Sequence, residues 1–136
     1  MDSSVLLAYF LGEKTGQTVK DQVFGNPKLE AFASHLALSE TFYILCRNRG
    51  EEYASTAMKT LESTGYLKIQ ESAILDYAAA HYKCERNINL ADCYVLALAK
   101  NINGTALFAR REIDIEKENK RSPFEVPLLF AEEISR

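Results

Sequence analysis

Residues 89–109 read NLADCYVLALAKNINGTALFA. Asn89 is a helix-capping residue, the middle of the stretch is apolar, and Gly104 closes it, so the pattern predicts a helix over 89–104. The apolar run 105–109 that follows at once predicts a short strand. A helix leading straight into a strand is the repeating step of a parallel sheet with helical crossovers.

Working upstream, 71–85 reads as a helix with Ile74, Tyr77, Ala78 and Tyr82 along one stripe, and YLKIQ (66–70) alternates as a strand. Residues 51–64 form a helix closed by Gly65. Residues 37–50 form another, with Arg47 and Arg49 in its last turn and Gly50 as C-cap. LEAFAS (29–34) reads as a strand. A weaker helix over 17–25 ends at Gly25, Asn26 and Pro27, and the apolar stretch 3–12 predicts a well-buried helix punctuated by Gly12 and Gly16. Downstream, 110–121 is highly charged and is assigned no element. EVPLLF (125–130) reads as a final strand, with Pro127 suggesting a sheet edge. No repeat or linker interrupts the series. The expected fold is therefore α/β, a single domain over 1–136 with a short, mostly parallel sheet between two helical layers. Ligands of such sheets bind at the carboxyl ends of the strands.

Composition narrows the function. The 136 residues carry a net charge of −3, with 47% hydrophobic and 26% charged residues. There is no global basic signal for nucleic acid, so any such contact needs local cations. Cys46, Cys84 and Cys93 are odd in number and lack CxxC spacing; they fit buried thiols in a reducing cytoplasm. The apolar run Val5–Leu11 is too short to span a bilayer and has no basic residues before it. GxxxxGK[ST], GxGxxG and GxSxG motifs do not occur.

Three acids stand near helix starts in otherwise uncharged segments: Asp2 in DSSVLLAYF, Glu40 in LALSETFYIL and Asp92 in NLADCYVLAL. Singly, each is explained by helix capping and the helix dipole. Together, at one edge of a parallel sheet, they would repel one another until a divalent cation relieved them. An all-oxygen set without His or Cys favours Mg²⁺ or Mn²⁺ over zinc.

At these segments, followed by GTALFARREID, the sequence resembles the PIN-domain family, in particular the VapC-like toxins of prokaryotic toxin–antitoxin pairs. The resemblance implies a small three-layer α/β/α domain, usually dimeric and cytoplasmic, that hydrolyses RNA phosphodiesters with a divalent metal. It carries the family's acid positions onto Asp2, Glu40 and Asp92, both as metal ligands and as catalytic residues. It makes Ser4, or failing that Ser3, the hydroxyl after the first acid. A cognate antitoxin and an RNA substrate are the implied partners, with no membrane role.

Two departures from the family qualify this reading. The family has a strand directly before the first acid, whereas Met1 alone stands there. The expectation is a first strand cut short, a true start upstream, and Asp2 on a fraying terminus. The fourth acid position falls on Arg111. Either a small shift brings Glu112 into the site, or Arg111 turns its cation toward the acids, competing with metal or gripping RNA phosphate. Alternatively Arg110 and Arg111 open a solvated charged loop. Arg86, Arg110 and Arg111 are the candidate phosphate-binding cations. His35 and His81 read as surface or structural residues, and Tyr43, Tyr77, Tyr82 and Tyr94 as core or dimer-interface residues. A second reading makes the chain a weakened PIN domain that binds RNA or protein. A third makes it an interaction domain whose acids only cap helices.

Overall fold

The computed structural model describes residues 1–134; the last two residues of the expected 1–136 domain lie outside the described residues. Helix α1 (Ser3–Phe10) is capped by the Asp2 carboxylate, which accepts from Ser4 N at 3.1 Å. Helix α2 (Lys14–Val19) runs on as a π-helical turn to Phe24. It approaches α1 so closely that a Cβ on Gly16 would lie 2.1 Å from Ala8 O. Strand β1 (Ala31–Ser34) ends where Ser34 caps α3 (His35–Arg49). Helix α4 (Glu51–Thr64) ends on Gly65, whose φ of 67° is the left-handed value a side chain resists. Strand β2 (Leu67–Gln70), a 3₁₀ turn (Ser72–Leu75) and α5 (Asp76–Glu85) follow. Then come α6 (Leu90–Asn101), β3 (Ala106–Phe108), α7 (Ile113–Arg121), β4 (Leu128–Phe130) and a closing 3₁₀ turn (Ala131–Glu133).

All pairing is parallel: β1 with β2 and β3 with β4, with Ala31 opposite Leu67 and Ala106 opposite Leu128. Met1 and Asp2 join the two pairs. The Met1 ammonium donates to Phe32 O on β1, and Asp2 N donates to Leu107 O on β3 at 2.9 Å. The first two residues thus occupy the middle of the sheet without forming an assigned strand. Asp2 is only 5% exposed and held on both sides, so it is not on a fraying end.

Side chains alternate across the strands as the two-residue period demands. Phe32, Phe108 and Phe130 face one way, into a core with α5 and α6. Ala33, Leu107, Ala109 and Ala131 face the other way, onto α1 and Val19. This is the three-layer α/β/α arrangement. Fully burying a side chain such as Phe108 or Leu96 contributes about 1.5–3 kcal/mol.

Four local expectations are corrected. Residues 113–121 form a helix, α7. The buried face of the 71–85 segment is Leu75, Ala79 and Tyr82, while Ile74 and Tyr77 are 62% and 92% exposed. The 3₁₀ turn has three residues per turn, which rotates the phase of the stripe before α5 begins. Tyr43 is exposed as well, so of its two readings the core one falls. Cys93 is buried, Cys46 is half-buried and Cys84 is exposed. Among the described residues no helix is long and apolar enough to cross a membrane.

Candidate metal centre

Three carboxylates meet at the carboxyl ends of the central strands. Asp2 stands between β1 and β3, at the start of α1. Asp92 lies in the first turn of α6, where its N–H donates to the Asn89 cap at 2.9 Å. Glu112 is the residue before α7, in extended backbone (φ −116°, ψ 132°). One carboxylate oxygen from each lies within 4.8 Å of the other two. Asp92 is 4% exposed and Glu112 half-buried. Glu40, in the second turn of α3, stands beside this group and accepts a hydrogen bond from the Ser3 hydroxyl.

The electrostatics follow from burial. Loss of water pushes the Asp92 carboxyl up to about 8, and the charges of Glu112, Asp2 and Glu40 reinforce the shift. Glu112 is also raised, first by burial and then by the Asp2 charge. Asp92 holds the proton and donates it to Glu112. The Met1 ammonium next to Asp2 is itself depressed to about 6 by burial, so it is a poor counter-charge at neutral pH. The group is therefore negative and desolvated, and among the described residues it has no strong cation of its own. Its donors are hard carboxylate oxygens at compatible spacing, which fits a small divalent ion.

The other sequence-predicted residues separate from this group. Arg111 turns outward: it pairs with Glu116 at 2.7 Å and with Glu133, and lies over the Phe130 ring. It neither competes for the acids nor reaches toward them; the carboxylate from this segment that meets Asp2 and Asp92 is that of Glu112. Arg86 is not on a rim. Its side chain is 11% exposed, stacked on Phe124, and donates to the carbonyls of Glu118 and Ser122. Arg110 is exposed and pairs with Glu13 at 3.1 Å. The Ser4 hydroxyl accepts from Ala109 N at 3.1 Å and ties α1 to the end of β3, so Ser3 is the hydroxyl beside an acid. Ser3 is 4% exposed, a sign the sequence carried only as the alternative to Ser4.

The PIN domain family model matches residues 1–115. The chain belongs to the PIN domain family. Its fold is shared with VapC20 of Mycobacterium tuberculosis, described as a Sarcin-Ricin loop cleaving toxin. That structure superposes with a TM-score of 0.65 at 19% identity, over 85% of this chain and 91% of that one. No curated protein sequence matches the chain significantly. Within this PIN domain the three meeting acids lie on segments that the family model spans, Glu112 included.

Proposed function

We propose that this PIN domain is a metal-dependent endoribonuclease that acts as the toxin of a type II toxin–antitoxin pair. One observation carries the reading: carboxylates from three separate elements converge in a buried place where only a shared proton relieves their mutual repulsion. Such a site costs stability unless it binds a cation. Asp2, Asp92 and Glu112 would hold Mg²⁺ or Mn²⁺, with Glu40 beside them. A bound divalent ion supplies a nucleophilic water and stabilises charge developing on a phosphodiester.

The chain's own residues do the rest. Asp92 would give up its proton on becoming a ligand. Ser3 fixes the Glu40 carboxylate by its hydrogen bond. Arg110, exposed beyond β3, is the cation best placed to meet an RNA phosphate, once it leaves Glu13. Exposed Ile74, Tyr77, Leu90 and Ile113 offer apolar surface for a second copy or an antitoxin. The weakened-domain reading rested on Arg111 and on the missing first strand; Arg111 faces away from the acids, and Met1 and Asp2 bond to β1 and β3 in the middle of the sheet.

The test is Mn²⁺ calorimetry and cleavage of RNA by the wild-type chain and Asp92→Asn. Binding and cleavage are expected in the wild type and absent from the variant. Equal Mn²⁺ affinity in the two proteins would overturn the reading.

A further inference from the structure

We infer that Arg111 is a positioning residue that holds Glu112 in the metal centre; the inference rests on the metal reading above. Arg111 and Glu112 are consecutive, and the backbone at Glu112 is extended, so their side chains leave in opposite directions. Glu112 goes to Asp2 and Asp92. Arg111 goes to a separate group of acids on the far side. Its backbone N–H donates to the Glu132 carboxylate at 2.8 Å, its guanidinium pairs with Glu116 and Glu133, and it covers Phe130. Glu132 N donates in turn to Ala109 O at 3.0 Å, so the segment leaving β3 is stapled to the turn that follows β4.

A staple is needed here because Glu112 is packed against two other carboxylates, one oxygen of each lying within 4.8 Å of the other two. The peptide before α7 has no side-chain cap to hold it. Without the guanidinium's contacts, only the Arg111 N–H bond to Glu132 would hold the 110–112 backbone, and Glu112 would be freer to swing into water. The guanidinium itself is spent on Glu116 and Glu133, so it fixes the acid without cancelling the negative charge that a cation requires. Fork-shaped pairing to two carboxylates is what Arg can do and Lys cannot.

The experiment measures Mn²⁺ affinity for the wild type, Arg111→Ala, Arg111→Lys, Glu112→Gln and the double variant Arg111→Ala/Glu112→Gln. Lys68→Ala, which removes a distant exposed ion pair with Glu30, is the control. Arg111→Ala is expected to weaken binding about tenfold, the usual effect of removing an outer support of a ligand. Lys is expected to restore only part of this. In the Glu112→Gln background the Arg111 change should add nothing, and Lys68→Ala should match the wild type. A crystal structure of Arg111→Ala without metal should show the Glu112 carboxylate withdrawn from Asp92, which tests the inference even if the wild type binds no Mn²⁺. Wild-type affinity in Arg111→Ala, with Glu112 in place, would overturn it. If Asp92→Asn and Glu112→Gln both bind like the wild type, it is the metal reading that falls.

Discussion

The molecule buries charge in two places and treats it in opposite ways. Behind α6, Arg86 and Glu118 have side chains 11% exposed; the guanidinium meets a carboxylate, two carbonyl oxygens and the Phe124 face. At the ends of the central strands, Asp2, Asp92 and Glu112 are packed together, and no arginine or lysine among the described residues shifts Asp92 or Glu112. The first arrangement is complete within the chain. The second is held only by the proton that Asp92 shares with Glu112, which on the reading proposed above a cation would displace. A buried pair whose hydrogen bonds are all made holds structure together, whereas a buried group of one sign is kept for what it binds.

Breaking each place should therefore give unlike results. Arg86→Ala removes donors from buried carbonyls and packing from Phe124, and should cost about 3 kcal/mol of stability by chemical denaturation. Mn²⁺ affinity of the folded fraction should be unchanged. Asp92→Asn should abolish Mn²⁺ binding while raising metal-free stability at pH 7, since the wild type must take up a proton on Asp92 to fold there and the amide need not. If Arg86→Ala kept its stability but lost RNA binding, Arg86 would belong to the substrate surface after all and the contrast would collapse.

The pH dependence sharpens the same contrast. Asp92 moves from an ordinary value of 3.8 to about 8 on folding. Between those values the folded chain holds a proton that the unfolded chain has released. Metal-free stability must then fall as pH rises from about 4 to about 8. Asp92→Asn should flatten that slope. Mn²⁺ has to displace the same proton, so its affinity should climb through this window and level off above about pH 8. Calorimetry in buffers of different ionisation enthalpy would register the released proton; an affinity independent of pH between 5 and 8 would contradict the shared proton.

Much of this was legible in the sequence, and the failures at Arg86 and Glu112 trace to one segment. The alternation of helix and strand, the caps at Asn89 and Gly65 and the acids at Asp2 and Asp92 follow from local chemistry that needs no partner. Residues 110–121 gave no helix signal because their charges hide a narrow apolar face, of which only Ile115 is a buried hydrophobic residue. With α7 unseen, its Glu118 was unseen as the partner of Arg86, and an arginine among polar neighbours read as a phosphate contact. The position of Glu112 was similarly out of reach. Counting residues from β3 lands on Arg111, and the backbone between them, fixed by Ser4 and Glu132, decides which side chain faces the acids.

The smallest effects should separate the two serines that open α1. Ser4 accepts from Ala109 N, so Ser4→Ala strands a partly buried N–H and should lower stability by about 1–2 kcal/mol. Because this contact serves the end of β3, Mn²⁺ affinity should change less than twofold. Ser3 donates to Glu40, a half-exposed carboxylate that water can also reach. Ser3→Ala should therefore cost under about 1 kcal/mol of stability, yet free Glu40 to rotate away from the other acids. A fall of roughly threefold to tenfold in RNA cleavage, at unchanged melting temperature, is the expected signature. The reverse pattern, with Ser4→Ala losing cleavage and Ser3→Ala losing stability, would return the role of the neighbouring hydroxyl to Ser4.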